Sequence, residues 1–136
     1  MPALNKVRYL PADLTDEFSL QDDGEWIATS IDKVFFNARR AYTVVGLVAR
    51  VEVAGTDAGA VTAVVRKAAS GTAIASGTAL HSGTINLKGT AATNQTLTLS
   101  TTAADLEIAV GDSIGIDFTG TLTGASGLVT VYLKQN

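Results

Sequence analysis

The chain has 136 residues, no cysteine, one histidine and a formal net charge of −3, with 46% hydrophobic and 17% charged residues. That length suits one domain with a real core, and the lack of cysteine removes disulfides, thiolate metal sites and cysteine nucleophiles together. Aromatics are few (four Phe, three Tyr, one Trp), so small and β-branched residues must build the core, a composition that favours strands.

Residues 1–23 differ in kind from the rest and read as an irregular N-terminal arm. They hold both prolines, Pro2 and Pro11, and show no strand alternation. Leu10, Leu14 and Phe18 are spaced to share one side of a short helical turn. Residues 1–25 set Lys6 and Arg8 against six acidic residues, a net −4, which leaves +1 on the other 111. An acidic head on a nearly neutral body argues against nucleic-acid binding, which needs a concentrated basic face. The N-terminus has no apolar signal region and no run approaches the ~18 residues that cross a bilayer. The chain is therefore expected to be soluble, made in the cytoplasm and without a membrane partner. Six of the eight aromatics fall in the first 42 residues. The arm either laps over one end of the domain or extends apolar anchors to a neighbour.

Residues 24–136 carry a β pattern. Val34, Phe35 and Phe36 make a short apolar run. Residues 41–54 form the strongest strand, with Thr43, Val45, Leu47, Ala49, Val51 and Val53 on one face and Tyr42, Val44, Gly46, Val48, Arg50 and Glu52 on the other. A Gly-rich turn at 55–59 leads to Val61, Ala63 and Val65, which read as the returning arm of a hairpin. Ser-Gly-Thr then recurs at 70–72, 76–78 and 82–84, best explained by turns between short strands. Leu97 and Leu99 alternate, as do Leu106, Ile108 and Val110 up to the Gly111-Asp112 turn. Ile114, Ile116 and Phe118 form an inward row, and so do Val129, Val131 and Leu133, with Thr130 and Tyr132 opposite. About seven to nine short strands at this spacing predict an antiparallel β-sandwich or barrel.

The motifs argue against an enzyme. Residues 111–115 match G-x-S-x-G, but a nucleophile elbow needs a helix after Ser113 and a histidine later in the chain. Here a strand pattern follows, and His81 comes first. His81 lies among Ser and Gly without other ligands at metal spacing, and reads as an exposed loop residue. Asp57 is one carboxylate in a five-residue turn, too few for calcium. Asp105, Glu107, Asp112 and Asp117 look like solvated strand faces and a turn. No catalytic residue, metal or cofactor is expected. The Arg39-Arg40 doublet is either a solvated turn or an anchor for a partner's carboxylates.

Over residues 33–134 the sequence resembles the decoration (cement) or head-fibre proteins of tailed bacteriophages. The likeness lies in VVGLVARVEVAGTDAGAVTAVVRKAASGTA, in GTINLKGTAATNQTLTLSTTAADLEIAVGDSIGIDFTGTLT and in the closing VTVYLK. It implies a jelly-roll-like sandwich, a structural virion protein on the outer capsid surface, the major capsid protein as partner, and a homo-oligomer with a trimer favoured. Leu4, Val7, Tyr9, Leu10 and Phe18 are the expected contacts of the arm, with Arg39 and Arg40 on the body. The alternatives are a glycan-binding module, for which Trp26, Tyr42 and Tyr132 are the stacking candidates, and a tail or fibre-base structural protein.

Overall fold

The computed structural model describes residues 17–25, in their backbone path, and residues 32–136. The described residues form ten strands: β1 (Glu17–Glu25), β2 (Lys33–Asn37), β3 (Tyr42–Val53), β4 (Thr62–Ala68), β5 (Thr78–Ala79), β6 (Ile85–Asn86), β7 (Thr93–Thr96), β8 (Glu107–Ile108), β9 (Ser113–Thr119) and β10 (Ser126–Gln135). Two 3-10 turns interrupt them, at Ile74–Ser76 and Ala103–Leu106. All pairings between strands are antiparallel. One sheet runs β1-β10-β3 with β7 and β8 sharing the far edge of β3, and the other runs β2-β9-β4 with β5 and β6 sharing the far edge of β4. Six of the nine connections change sheet, the jelly-roll arrangement of two interleaved Greek keys. The expected all-β, jelly-roll-like sandwich is what the chain adopts.

The core is two facing rows of side chains. Leu47, Ala49, Val51, Val129, Val131 and Leu133 come from the first sheet, and Val61, Ala63, Val65, Ile114, Ile116 and Phe118 from the second, all buried. Both rows that the sequence assigns inward in the last third therefore are inward. Small and branched residues suffice because each strand buries only one face.

Three sequence expectations fail for identifiable reasons. Thr43 and Val45 do not share the inner face with Leu47. Tyr132 pairs with Gly46 and Leu133 with Val44, so Val45 is an extra residue in the ladder. Such a bulge shifts the alternation by one, and Tyr42 and Val44 become the buried residues instead. A second irregularity leaves Val53 half exposed.

The hairpin between β3 and β4 does not form. β4 pairs with β9 and lies in the opposite sheet, so the glycine-rich turn is an arch between layers. The two strands face each other across the core through their buried rows.

Leu106 belongs to the second 3-10 turn, only Ile108 of its triplet is fully buried, and Val110 is 68% exposed. Strand β1 pairs with β10 along its whole length, from Glu17 to Glu25.

Candidate functional site

Ser113 and His81 are the residues with catalytic chemistry to offer. Ser113 opens β9, and its hydroxyl donates to Asn37 Oδ1. No helix follows it, so the G-x-S-x-G string lacks the support an elbow requires.

His81 is not an exposed loop residue: it is 4% exposed. Its Nε2 accepts the Val65 backbone N–H at 3.0 Å, and its Nδ1 lies 3.1 Å from the Ser82 carbonyl oxygen. That pair of partners calls for the neutral tautomer with the proton on Nδ1. Burial, aided by the Arg66 charge and opposed by the Ser82 carbonyl, holds the imidazole below its usual pKa of 6.5. A cleft of about 250 Å³ beside the ring also holds Ser82, Ser100 and Asp105. This gathers serine, histidine and aspartate in one depression. Both imidazole nitrogens are nevertheless committed to backbone groups, and Ser100 Oγ donates to Asp105 rather than to His81. The ring cannot take up a serine proton without breaking a strand contact.

The segment 80–82 around His81 ties β4 to residues 98–100 along one side. Leu80 N–H donates to Val65 at 3.0 Å, Ser100 N–H to Leu80 at 3.0 Å and Ser82 N–H to Thr98 at 2.9 Å. Further along, the Gln95 carboxamide imitates a strand partner, giving Nε2–H to the Asn86 carbonyl at 3.0 Å and accepting the Asn86 N–H at 3.3 Å. These bonds bridge the edges of the two sheets on the β5–β8 side.

The remaining acidic groups hold the structure together. Asp57 accepts the Thr123 N–H at 3.0 Å, while Lys88 Nζ caps the Asp57 and Gly59 carbonyls at 2.6 and 3.0 Å. Asp117 and Arg66 form a 2.8 Å ion pair with side chains only 18% and 24% exposed. Among the described residues no group of three or more potential metal ligands occurs. No helix among them is long and apolar enough to cross a membrane.

Surfaces are the better candidates. On the first sheet's outer face Tyr132 is 41% exposed and lies over Gly46, where an added Cβ would sit 3.1 Å from its ring. Exposed Val45 and partly exposed Val48, Leu128 and Thr130 extend that apolar patch. The second sheet's outer face is partly covered, because Ile74 packs on Gly115.

One end of the sandwich gathers the loops 38–41 and 109–112. They are tied by Ala38 N–H to the Asp112 carbonyl and Gly111 N–H to the Ala38 carbonyl, each 2.8 Å. Arg39, Arg40 and Val110 are exposed there. Glu17 pairs with Lys134 near the end of β10, so β1 begins at this same end.

The fold matches a chain of the cyanophage Pam1 capsid asymmetric unit. The match covers 100% of both chains at a TM-score of 0.50 and 17% identity. Identity at that level speaks for shared fold. Lesser likenesses are to a chain of the Bacillus endospore appendages that form disulfide-linked pili, at TM-score 0.38 and 14% identity over 97% of this chain and 98% of that one, and to one of infectious bursal disease virus, Gx strain, at TM-score 0.28 and 13% identity over 98% of this chain and 44% of that one. No protein-family model matches the sequence, and no curated protein does.

Of the expected contact residues, Arg39 and Arg40 lie together on the exposed end. Leu4, Val7, Tyr9 and Leu10 fall outside the described residues, as does Trp26. Phe18 is described only by its backbone, opposite Leu133. Tyr42 is not available for stacking: it is buried and meets Phe36 edge-on, with ring centroids 5.7 Å apart. Strand alternation assigns Tyr132 to the outer face but not Val110, whose exposure follows from the turn that removes it from the strand.

Proposed function

We propose that this chain is a structural virion protein that binds the outer surface of a phage capsid and decorates or stabilises it, with the major capsid protein as partner. The observation that carries this reading is the fold likeness, over the full length of both chains, to a chain of a cyanophage capsid asymmetric unit. The sequence resemblance to phage decoration and head-fibre proteins points the same way by a separate route. The described surface suits such a role, since it offers one apolar sheet face and one basic end. In a trimer each weak patch is presented three times, and linked contacts hold far more strongly than one. The arm, through Leu4, Val7, Tyr9, Leu10 and Phe18, and the Arg39-Arg40 doublet are the proposed contacts. A glycan-binding role retains only Tyr132 as an exposed aromatic among the described residues.

The test is co-sedimentation of the full chain with undecorated capsids, with purified tails as the parallel target. Saturable binding to capsids supports the reading. Binding to tails alone replaces it with a tail or fibre-base role, and binding to neither overturns it. A chain lacking residues 1–16 leaves β1 whole, and unchanged binding by that variant removes the arm from the interface.

A further inference from the structure

The body's cations are mostly engaged. Arg50 pairs with Glu52, Arg66 with Asp117, Lys67 reaches the Ala104 and Glu107 carbonyls, and Lys88 caps the 57–59 turn. Arg39 and Arg40 make no ion pair or side-chain hydrogen bond among the described residues, and Val110 stands 68% exposed on the loop bonded to theirs. An unmatched double positive charge beside an unmatched apolar side chain is a surface awaiting an acidic, partly apolar segment.

We propose that residues 13–16 of this same chain are that segment, docking Asp13 and Asp16 on Arg39 and Arg40 with Leu14 against Val110. This concerns the free chain and goes beyond the capsid-binding reading.

Where the arm joins the body favours it. Glu17 pairs with Lys134, and the Asn136 N–H donates to the Ala41 carbonyl at 3.1 Å, so β1 begins at the end of the sheet where the loop that holds the doublet lies. Strand β10 separates β1 from β3, which sets Glu17 two strand spacings, about 10 Å, from the start of β3, and the doublet lies in the loop that leads into it. Three or four extended residues span that distance at roughly 3.3 Å each, and Asp13 is four residues before Glu17. Charge favours it as well, with −4 on residues 1–25 facing +1 on the rest.

Tethering decides the occupant. A segment held this close has an effective concentration in the millimolar range, above that of a second copy at ordinary protein concentrations. Exposed ion pairs are individually weak and salt-screened, so the contact is a reversible one.

The absence of native cysteine makes Thr15→Cys a unique attachment point for a spin label in the full chain. Expected is relaxation broadening at the amides of 38–41 and 109–112, lost in about 1 M salt, where the screening length is ~3 Å. Arg39→Glu with Arg40→Glu should lower the docked population about fivefold. Adding Asp13→Arg and Asp16→Arg to that variant should restore it. A sample mixing spin-labelled chains with separately isotope-labelled ones separates the alternatives. Broadening there at equal strength would assign the docking to a second copy and overturn the proposal, as would no broadening at low salt in the single-chain sample. Unshifted amides elsewhere verify that each variant is folded.

Discussion

Nε2 of His81 accepts the backbone N–H of Val65 at 3.0 Å, so an imidazole stands where a neighbouring strand would present a carbonyl. Strands β5 and β6 pair with β4 on either side of this point, at Arg66 and Lys67 and at Thr62 and Ala63. The edge of β4 would otherwise carry a buried, unpaired donor, which costs about 1–3 kcal/mol.

This contact makes stability depend on pH. His81 is the chain's one histidine, and its folded-state pKa lies below the unfolded value of 6.5. As pH falls through 6.5 the unfolded chain takes up the proton first, so stability is level above that value and declines below it. The limiting slope is about 1.4 kcal/mol per pH unit until the folded-state pKa is reached. Urea unfolding between pH 7.5 and about 5, above the carboxylate range, isolates this one group. His81→Gln should remove the decline within that window. A wild-type curve flat to pH 5 would contradict the assignment.

Gly115 is where the 3-10 turn at Ile74 seats on β9. A Cβ added there would sit 2.8 Å from the Lys33 carbonyl oxygen and 2.9 Å from Ile74 Cγ1. Gly115→Ala is expected to destabilise by about 1–3 kcal/mol, in the range of overpacked sites. Trimming the turn with Ile74→Val should recover little, since the Lys33 carbonyl is backbone and remains. Thermal melts of the single and double variants measure both.

The Arg66–Asp117 pair lies across β4 and β9, with Arg66 Nη1 also donating to the Gly77 carbonyl at 3.1 Å. Removing only one partner leaves a largely buried charge without compensation. Asp117→Ala should therefore cost about 1–3 kcal/mol. Replacing both, as Arg66→Met with Asp117→Leu, should cost less than that single change because no stranded charge remains. Denaturant titration of these variants beside Arg66→Met and Asp117→Leu alone completes a double-mutant cycle.

Lys67 reaches from β4 to the carbonyl oxygens of Ala104 and Glu107, the former at 2.7 Å. It bolts one sheet to the 3-10 turn and edge strand of the other. Lys67→Met keeps the stem but loses both bonds, and should speed amide exchange around 103–108 more than in the β9–β10 core. Uniform protection in wild type and variant would deny the lysine this local role.

Much of the fold was legible because a continuous strand carries its own evidence. In Val129, Val131 and Leu133, and in Ile114, Ile116 and Phe118, a period of two marks the buried face, and those rows are buried. β1 was invisible for the opposite reason. Residues 17–25 carry only Phe18 and Leu20 as apolar residues, too short an alternation to mark a strand, and they become one because the free edge of β10 offers nine consecutive backbone partners. For the candidate surface, the charge of Arg39-Arg40 was plain in the chain, but the exposure of Val110 beside it depends on the turn at 109–112.

By itself the sequence determined the class: cysteine-free, strand-forming, with an acidic head and a nearly neutral body. Only tertiary structure decided which face and which partner. A single extra residue at Val45 turned Thr43 outward and Tyr42 inward, because alternation encodes a face only until the ladder slips. β4 left β3 for β9, since local pattern records that a strand exists but not what lies beside it. His81 passed from a loop residue to a buried strand partner for the same reason: its role is defined by Val65, sixteen residues earlier, and that meeting exists only once the sheets have closed.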